Sequence, residues 1–205
     1  MNYRIAYAVG FHPWEDAEEQ PAFTEKISEL LEQEEGGREA PYGRALDLGT
    51  GSGAWAIELA NRGWQVTGVD LVDKALGRAR ERVRDAGVEV QLARGDVTAL
   101  READVGSGFR LMLDTGTFHG LPGAQREAMG REVSAIGMPD GAAVLMLAWA
   151  PKRRGPLPRG ASRDEIEAAF PGWQVTDMGP TGFQAPKLVE LLMKPNERWY
   201  RLHRQ

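Results

Sequence analysis

From residue 45 to residue 148 the chain alternates between short strand-like runs and amphipathic helical runs, and nothing else in the sequence restricts its fold as strongly. The strand-like runs are 45–48, 65–70, 88–93, 109–114 and 142–148. Helical periodicity occupies 54–61, 72–86 and 124–135; in the second of these, Val72, Leu76, Ala79 and Val83 form one apolar stripe that Gly87 ends. Consecutive parallel strands need a crossover connection, and helical crossovers cover a sheet on its faces. The predicted class is therefore α/β, a doubly wound and mostly parallel sheet with helices on both faces.

The flanks read differently. Phe23, Ile27, Leu30 and Leu31 give residues 22–35 an amphipathic pattern with acids on the outer face, stopped by Gly36 and Gly37. Ser162-x-x-Glu165 is a capping box that opens a short helix ending near Pro171. Residues 173–178 and 187–194 read as two strands joined by eight residues, too few for a crossover helix, so this pair is expected to be antiparallel. No repeat or linker divides the 205 residues. A single domain over 1–205 is expected, with 1–40 an N-terminal arm and helix covering the active site.

Composition removes several chemistries. With no cysteine, the chain has no disulfide, no thiolate nucleophile and no Cys-ligated metal. His12, His119 and His203 show no metal-ligand spacing, so no metal is expected. A net charge of −5 argues against nucleic-acid binding, which favours a basic surface. That charge is uneven: residues 1–40 hold ten acids and three bases, net −7, so the remaining 165 are at +2. The longest apolar run, 142–150, is far short of a membrane span, and the apolar stretch after Arg4 lacks a cleavage site. A cytoplasmic protein without a membrane partner, monomer or homodimer, is expected.

The sharpest local signal is Leu46-Asp47-Leu48-Gly49-Thr50-Gly51-Ser52-Gly53, set between the first strand and the following helix. Glycines there allow a tight turn and a close approach of ligand to backbone at a helix N-terminus. Read alone, the string also fits a relaxed dinucleotide fingerprint through Gly49, Gly51 and Ala54. Acids separate the two readings. Asp47 would repel a pyrophosphate and attract a cationic sulfonium or ammonium. Asp70, 21 residues past Gly49, is placed for ribose hydroxyls, and Asp96 for an adenine amino group. Asp114 ends the fourth strand, so four consecutive strands finish on or near an acid at one sheet edge.

With these motifs the chain resembles the class I S-adenosylmethionine-dependent methyltransferases: Leu46–Gly53 matches the first motif, Val69-Asp70 the ribose acid, Gly95-Asp96-Val97 the adenine-side acid and Leu111–Asp114 the fourth-strand motif. The likeness is close over residues 40–150. It implies strand order 3-2-1-4-5-7-6 and S-adenosylmethionine as cofactor, with S-adenosylhomocysteine as product. It also implies a cofactor site of Asp47, Gly49, Thr50, Gly51, Gly53, Asp70, Leu71, Asp96, Val97 and Asp114. The Gly10–Trp14 arm and the string Asp114-Thr115-Gly116-Thr117-Phe118-His119 look most like the small-molecule branch around thiopurine and thiol methyltransferases.

Methyl transfer from a sulfonium depends mainly on alignment, with a general base as an optional aid. His119, after the fourth strand, is the candidate base; His12 is a second contender, and His203 lies in a basic tail. In the family that the chain resembles, methylators of the amino groups of bases and glutamines carry an acid or Asn followed by Pro-Pro-aromatic at this place; Asp114-Thr115-Gly116-Thr117 stands here instead, so the resemblance implies another acceptor. Phe11, Trp14, Phe118 and Trp149 are candidates to line a pocket for a flat small molecule, together with Phe183. The segment 151–163, with Lys152, Arg153, Arg154, Arg159 and Arg163, either clamps an anionic substrate or is a solvated loop. The expected function is methyl transfer to sulfur, oxygen or nitrogen of a small aromatic, heterocyclic or thiol acceptor. The alternatives are a non-catalytic S-adenosylmethionine-binding module and, with less support, a nicotinamide-dependent oxidoreductase.

Overall fold

The computed structural model describes residues 20–152, 158–183 and 196–204. Seven strands form one sheet: β1 (Arg44–Leu48), β2 (Gln65–Asp70), β3 (Val90–Arg94), β4 (Phe109–Asp114), β5 (Ala143–Trp149), β6 (Trp173–Pro180) and β7 (Glu197–Arg204). Their order is β3-β2-β1-β4-β5-β7-β6. The first five are parallel to their neighbours, whereas β7 runs antiparallel to both β5 and β6. The helices are α1 (Pro21–Glu35), α2 (Ala54–Arg62), α3 (Asp73–Ala86), α4 (Gly123–Ile136) and α5 (Arg163–Ala169), with a 3₁₀ turn at Phe118–Gly120. The doubly wound class and the strand order expected from the resemblance are both observed. No helix among the described residues is long and apolar enough to cross a membrane.

One strand lies elsewhere than expected. The antiparallel partner of β6 is Glu197–Arg204, and the run 187–194 falls outside the described residues. Three arginines and a histidine make 197–204 read as a basic tail, yet Trp199, Tyr200 and Leu202 are buried. The charges are accommodated because each arginine finds a partner: Arg198 with Asp177 at 2.7 Å, Arg201 with Glu34, and Arg204 Nη1 with the Ser134 carbonyl at 2.6 Å. His203 sits opposite Ala143 and Gln174 in the sheet.

Alternate residues of the central strands feed two cores, one on each face. Ala45, Leu111, Leu113, Leu145, Leu147 and Trp199 pack beneath α1 and α2. Leu46, Leu48, Met112, Val144, Met146 and Leu202 pack beneath α4 and α5. Phe23, Ile27, Leu30 and Leu31 of α1 are buried as their spacing predicts. At the start of α1, Phe23 lies 5.6 Å from Trp55 of α2 and 5.9 Å from Trp199, ring centre to ring centre. At its end, Glu35 bonds Arg62 and the Trp64 indole, both at the far end of α2. The helix therefore begins at the edge where the parallel strands finish. The α5 capping box forms as read, Ser162 and Glu165 exchanging side-chain and backbone bonds.

Helices α4 and α5 cross where Gly130 allows contact: a Cβ there would fall inside the Ala169 carbonyl oxygen. Helix propensity alone favours alanine over glycine by ~1 kcal/mol, but overpacking against backbone costs ~1–3 kcal/mol. Gly130→Ala is therefore expected to lower the melting temperature, by calorimetry, despite the better helix former. An unchanged or raised value would mean that the two helices separate at no cost.

Candidate active site

The glycine loop follows β1 directly. Gly49 and Thr50 donate their N–H groups to the Val69 carbonyl, both at 2.9 Å, which ties the loop to β2. Gly49, Gly51 and Gly53 all have positive φ (72°, 55° and 84°), a backbone that side chains disfavour. Space is equally tight: a side chain at Gly49 would enter the Thr117 hydroxyl, and a Cβ at Gly53 would lie 3.1 Å from the Ala79 Cβ.

The four expected acids do line one edge, each held differently. Asp47, opposite Gly68 of β2 and Leu113 of β4, is 1% exposed. Its Oδ2 accepts from the Thr50 hydroxyl at 2.6 Å, while its Oδ1 is buried with no hydrogen-bond partner among the described residues. Burial pushes the Asp47 carboxyl up to about 7; the Thr50 bond opposes this, and the nearby Asp70 and Asp114 charges add to it. Asp70 accepts from Gly51 N at 2.9 Å and Val72 N at 2.8 Å, so it links the loop to the start of α3. Burial raises it too, against those two bonds. Asp96 Oδ1 accepts both the amide and the hydroxyl of Thr98, which leaves Oδ2 outside that turn.

Asp114 departs from expectation. It is fully buried, and its carboxylate accepts three backbone N–H groups, from Gly116 (2.8 Å), Thr117 (2.6 Å) and Phe118 (2.9 Å). Burial raises it to about 6 in spite of these bonds. Its geometry is that of a turn organiser: both oxygens of Asp70 are engaged as well, but Asp70 is only half-buried, whereas Asp114 has no exposed surface. Val97 likewise packs its side chain into the core, which leaves only its main chain to meet a ligand. Leu71 does the reverse: it is 46% exposed, an apolar side chain in solvent beside Asp70.

His119 is 4% exposed, and its Nδ1 accepts the Trp149 amide at 3.2 Å. In a neutral ring that places the proton on Nε2 and occupies the lone pair a base would use. The ring packs on Trp149 with centres 5.1 Å apart. Through this bond, and through its carbonyl, which accepts from Arg126, His119 ties the turn to β5 and α4. Phe118, expected in the pocket, is fully buried against Phe170 and Arg126, because the 3₁₀ turn directs it into the core. Trp149 is half-buried at the end of β5, and Trp55 and Phe183 are half-buried beside Phe23. Phe11, Trp14, His12, Arg153 and Arg154 lie outside the described residues. Arg159 and Arg163 are bound to Glu165 and Glu167 of α5.

Two contributors had escaped the sequence reading. Trp55 could have been suspected as an aromatic in the first turn after the glycine loop. Arg126 gave no signal, since an arginine on a helix usually reads as solvated. Its side chain is 3% exposed; it lies 3.0 Å from Glu165 and donates to the carbonyls of His119 (2.9 Å) and Gly160 (2.6 Å).

A cofactor with an ammonium, a ribose and an adenine fits this edge: a buried carboxylate oxygen at Asp47 with no hydrogen-bond partner among the described residues, a loop with glycine at every other position, an acid in line at Asp70 and an exposed apolar side chain at Leu71. Residues 45–141 match the family described as a methyltransferase domain. The 2-heptyl-1-hydroxyquinolin-4(1H)-one methyltransferase of Mycobacteroides abscessus is 27% identical over 179 residues, 84% of this chain and 73% of its own length. Further curated methyltransferases match over 19–41% of their length. Among solved structures, an S-adenosylmethionine-dependent methyltransferase from Clostridium acetobutylicum superposes with TM-score 0.67 at 13% identity, covering 89% of this chain and 91% of that one. Magnesium protoporphyrin IX methyltransferase from Synechocystis with bound S-adenosylhomocysteine gives 0.66 at 16% identity, covering 99% and 98%.

An ammonium seated on Asp47 is expected to make ligand affinity dependent on pH. Its folded value is raised above the ordinary carboxyl range, so its contribution to ligand-free stability is complete below pH about 4 and is lost as pH rises through about 7. A bound ammonium favours the ionised form. S-adenosylhomocysteine affinity, by calorimetry, is expected to rise roughly tenfold per pH unit up to about 7 and then level off. Asp47→Asn should flatten this profile, weaken binding at high pH and raise the melting temperature of the ligand-free protein there. A flat profile in the parent would remove Asp47 as the counter-charge.

Proposed function

Taking the chain as the S-adenosylmethionine-dependent methyltransferase of class I fold that it is, we propose that it methylates oxygen, sulfur or nitrogen of a small, flat aromatic, heterocyclic or thiol compound that ionises near neutral pH. The observation that carries this reading is the half-buried aromatic rim of Trp55, Trp149 and Phe183 at the edge where the acids gather. Aromatic walls stack on flat rings and keep water away from them. The M. abscessus relative, whose name specifies a hydroxyquinolone, supports a heterocyclic acceptor. The likeness of Asp114–His119 to the thiopurine and thiol branch keeps thiols within the proposal.

The cofactor supplies an electrophilic methyl: the acceptor lone pair bonds to its carbon as the carbon–sulfur bond breaks and the electron pair returns to sulfur, giving S-adenosylhomocysteine. Asp47 would hold the ammonium of the bound cofactor, Asp70 its ribose hydroxyls, Asp96 its adenine amino group and Leu71 the ring face, while Gly49 to Gly53 would give it access to the backbone. Val97 adds its main chain. Because the Nδ1 lone pair of His119 is committed to Trp149, the acceptor sheds its proton to solvent before transfer.

The test is transfer of a labelled methyl to a panel of 2-heptyl-1-hydroxyquinolin-4(1H)-one, phenols, thiols and thiopurines. Product with at least one is expected; silence across the panel in a protein that binds S-adenosylhomocysteine would favour a non-catalytic binding module. At saturating cofactor the inflection of the pH–rate profile should move with the pKa of each acceptor. An inflection common to all acceptors would return a general base to the enzyme.

A further inference from the structure

In-line displacement tolerates little error between the attacking lone pair and the breaking bond, so the turn beside the acceptor must be registered against the loop that holds the cofactor. One side chain joins the two. Thr117 Oγ1 donates to the carbonyl of Leu48 at 3.1 Å, immediately before Gly49, and fills the space a side chain at Gly49 would need. The Thr117 amide belongs to the set gathered by the Asp114 carboxylate. At the other end of the turn, His119 is tied to Trp149 through its ring and to Arg126 through its carbonyl. The turn is thus fixed to β4, to β5 and to α4, and the Thr117 hydroxyl is the link that reaches the cofactor loop.

We propose that Thr117 is a positioning residue for methyl transfer: its hydroxyl sets the separation between the acceptor-side turn and the cofactor loop. This role rests on the acceptor reading above. It follows that losing the hydroxyl slows the chemical step while each ligand still binds. Valine keeps the shape and branching of threonine and removes the donor, whereas serine keeps the donor.

The experiment compares parent, Thr117→Val and Thr117→Ser by three readouts: S-adenosylhomocysteine affinity by calorimetry, single-turnover transfer to an acceptor found in the panel, and amide hydrogen exchange at Gly116, Thr117 and Phe118. For T117V the single-turnover rate is expected to fall at least about tenfold, with S-adenosylhomocysteine affinity and acceptor KM within about threefold and faster exchange at the three amides. T117S should return to within about threefold of the parent rate. Thr117→Ala, which adds no methyl beside Gly49, carries the same comparison if the valine variant does not fold. An unchanged rate in T117V, unchanged amide exchange, or a loss of affinity that matches the loss of rate overturns the role. A parent that binds S-adenosylhomocysteine but methylates nothing overturns the acceptor reading and this role with it; an active parent with an unaltered T117V overturns this role alone.

Discussion

Parallel strands all finish at the same edge of a sheet, and the site depends on that one constraint. It brings Asp47, Asp70, Asp96 and Asp114 together although they come from four separate segments. Carboxylates out of water are costly unless they are hydrogen-bonded. Asp114 meets the cost with three backbone donors and rises to about 6, whereas Asp47, relieved by the Thr50 hydroxyl and more weakly by the Ala56 amide, rises to about 7. The less satisfied acid is the one with most to gain from a cation. Asp114, better satisfied, serves to shape the turn.

Cofactor side and acceptor side are built from different materials. The cofactor side is largely backbone: a glycine loop bonded to the Val69 carbonyl and braced by Asp70. The acceptor side is a set of braces from side chains to main chain, in which Thr117, His119 and Arg126 each hold a peptide group of another segment and Asp114 holds those of its own turn. Such braces fix loops that have no regular pairing of their own, and they make buried polar residues carriers of geometry.

This difference decides what was legible in the sequence. The alternation of strands and helices, the glycine loop and three of the acids stand out because backbone demands and strand ends leave local marks. Strand position alone does not tell whether a carboxylate faces a ligand or its own loop, so the three backbone donors gathered by Asp114 leave no mark in the sequence. The 3₁₀ turn rotates consecutive side chains to different sides, and no short pattern announces that Phe118 enters the core or that His119 meets the Trp149 amide. Arg126 and β7 were hidden because their charges are neutralised by residues far away in sequence, Glu165 for the first and Asp177 and Glu34 for the second.

Long-range neutralisation also changes the meaning of the net charge. The amino-terminal forty residues carry −7 and the rest +2, a pattern that suggests an acidic segment loosely attracted to its own body. Helix α1 shows something more local. Its outward acids Glu25, Glu29 and Glu32 are exposed, where screening leaves them little effect on stability. Glu34 and Glu35 are buried and bond Arg201 of β7 and Arg62 of α2. Two acids of the ten therefore fasten the far end of α1, while Phe23 fastens its start against Trp55 and Trp199. Anchored at both ends, α1 presents its first turn to the edge where the acids gather, and it is position along this one helix, more than total charge, that decides which of its acids hold it to the sheet.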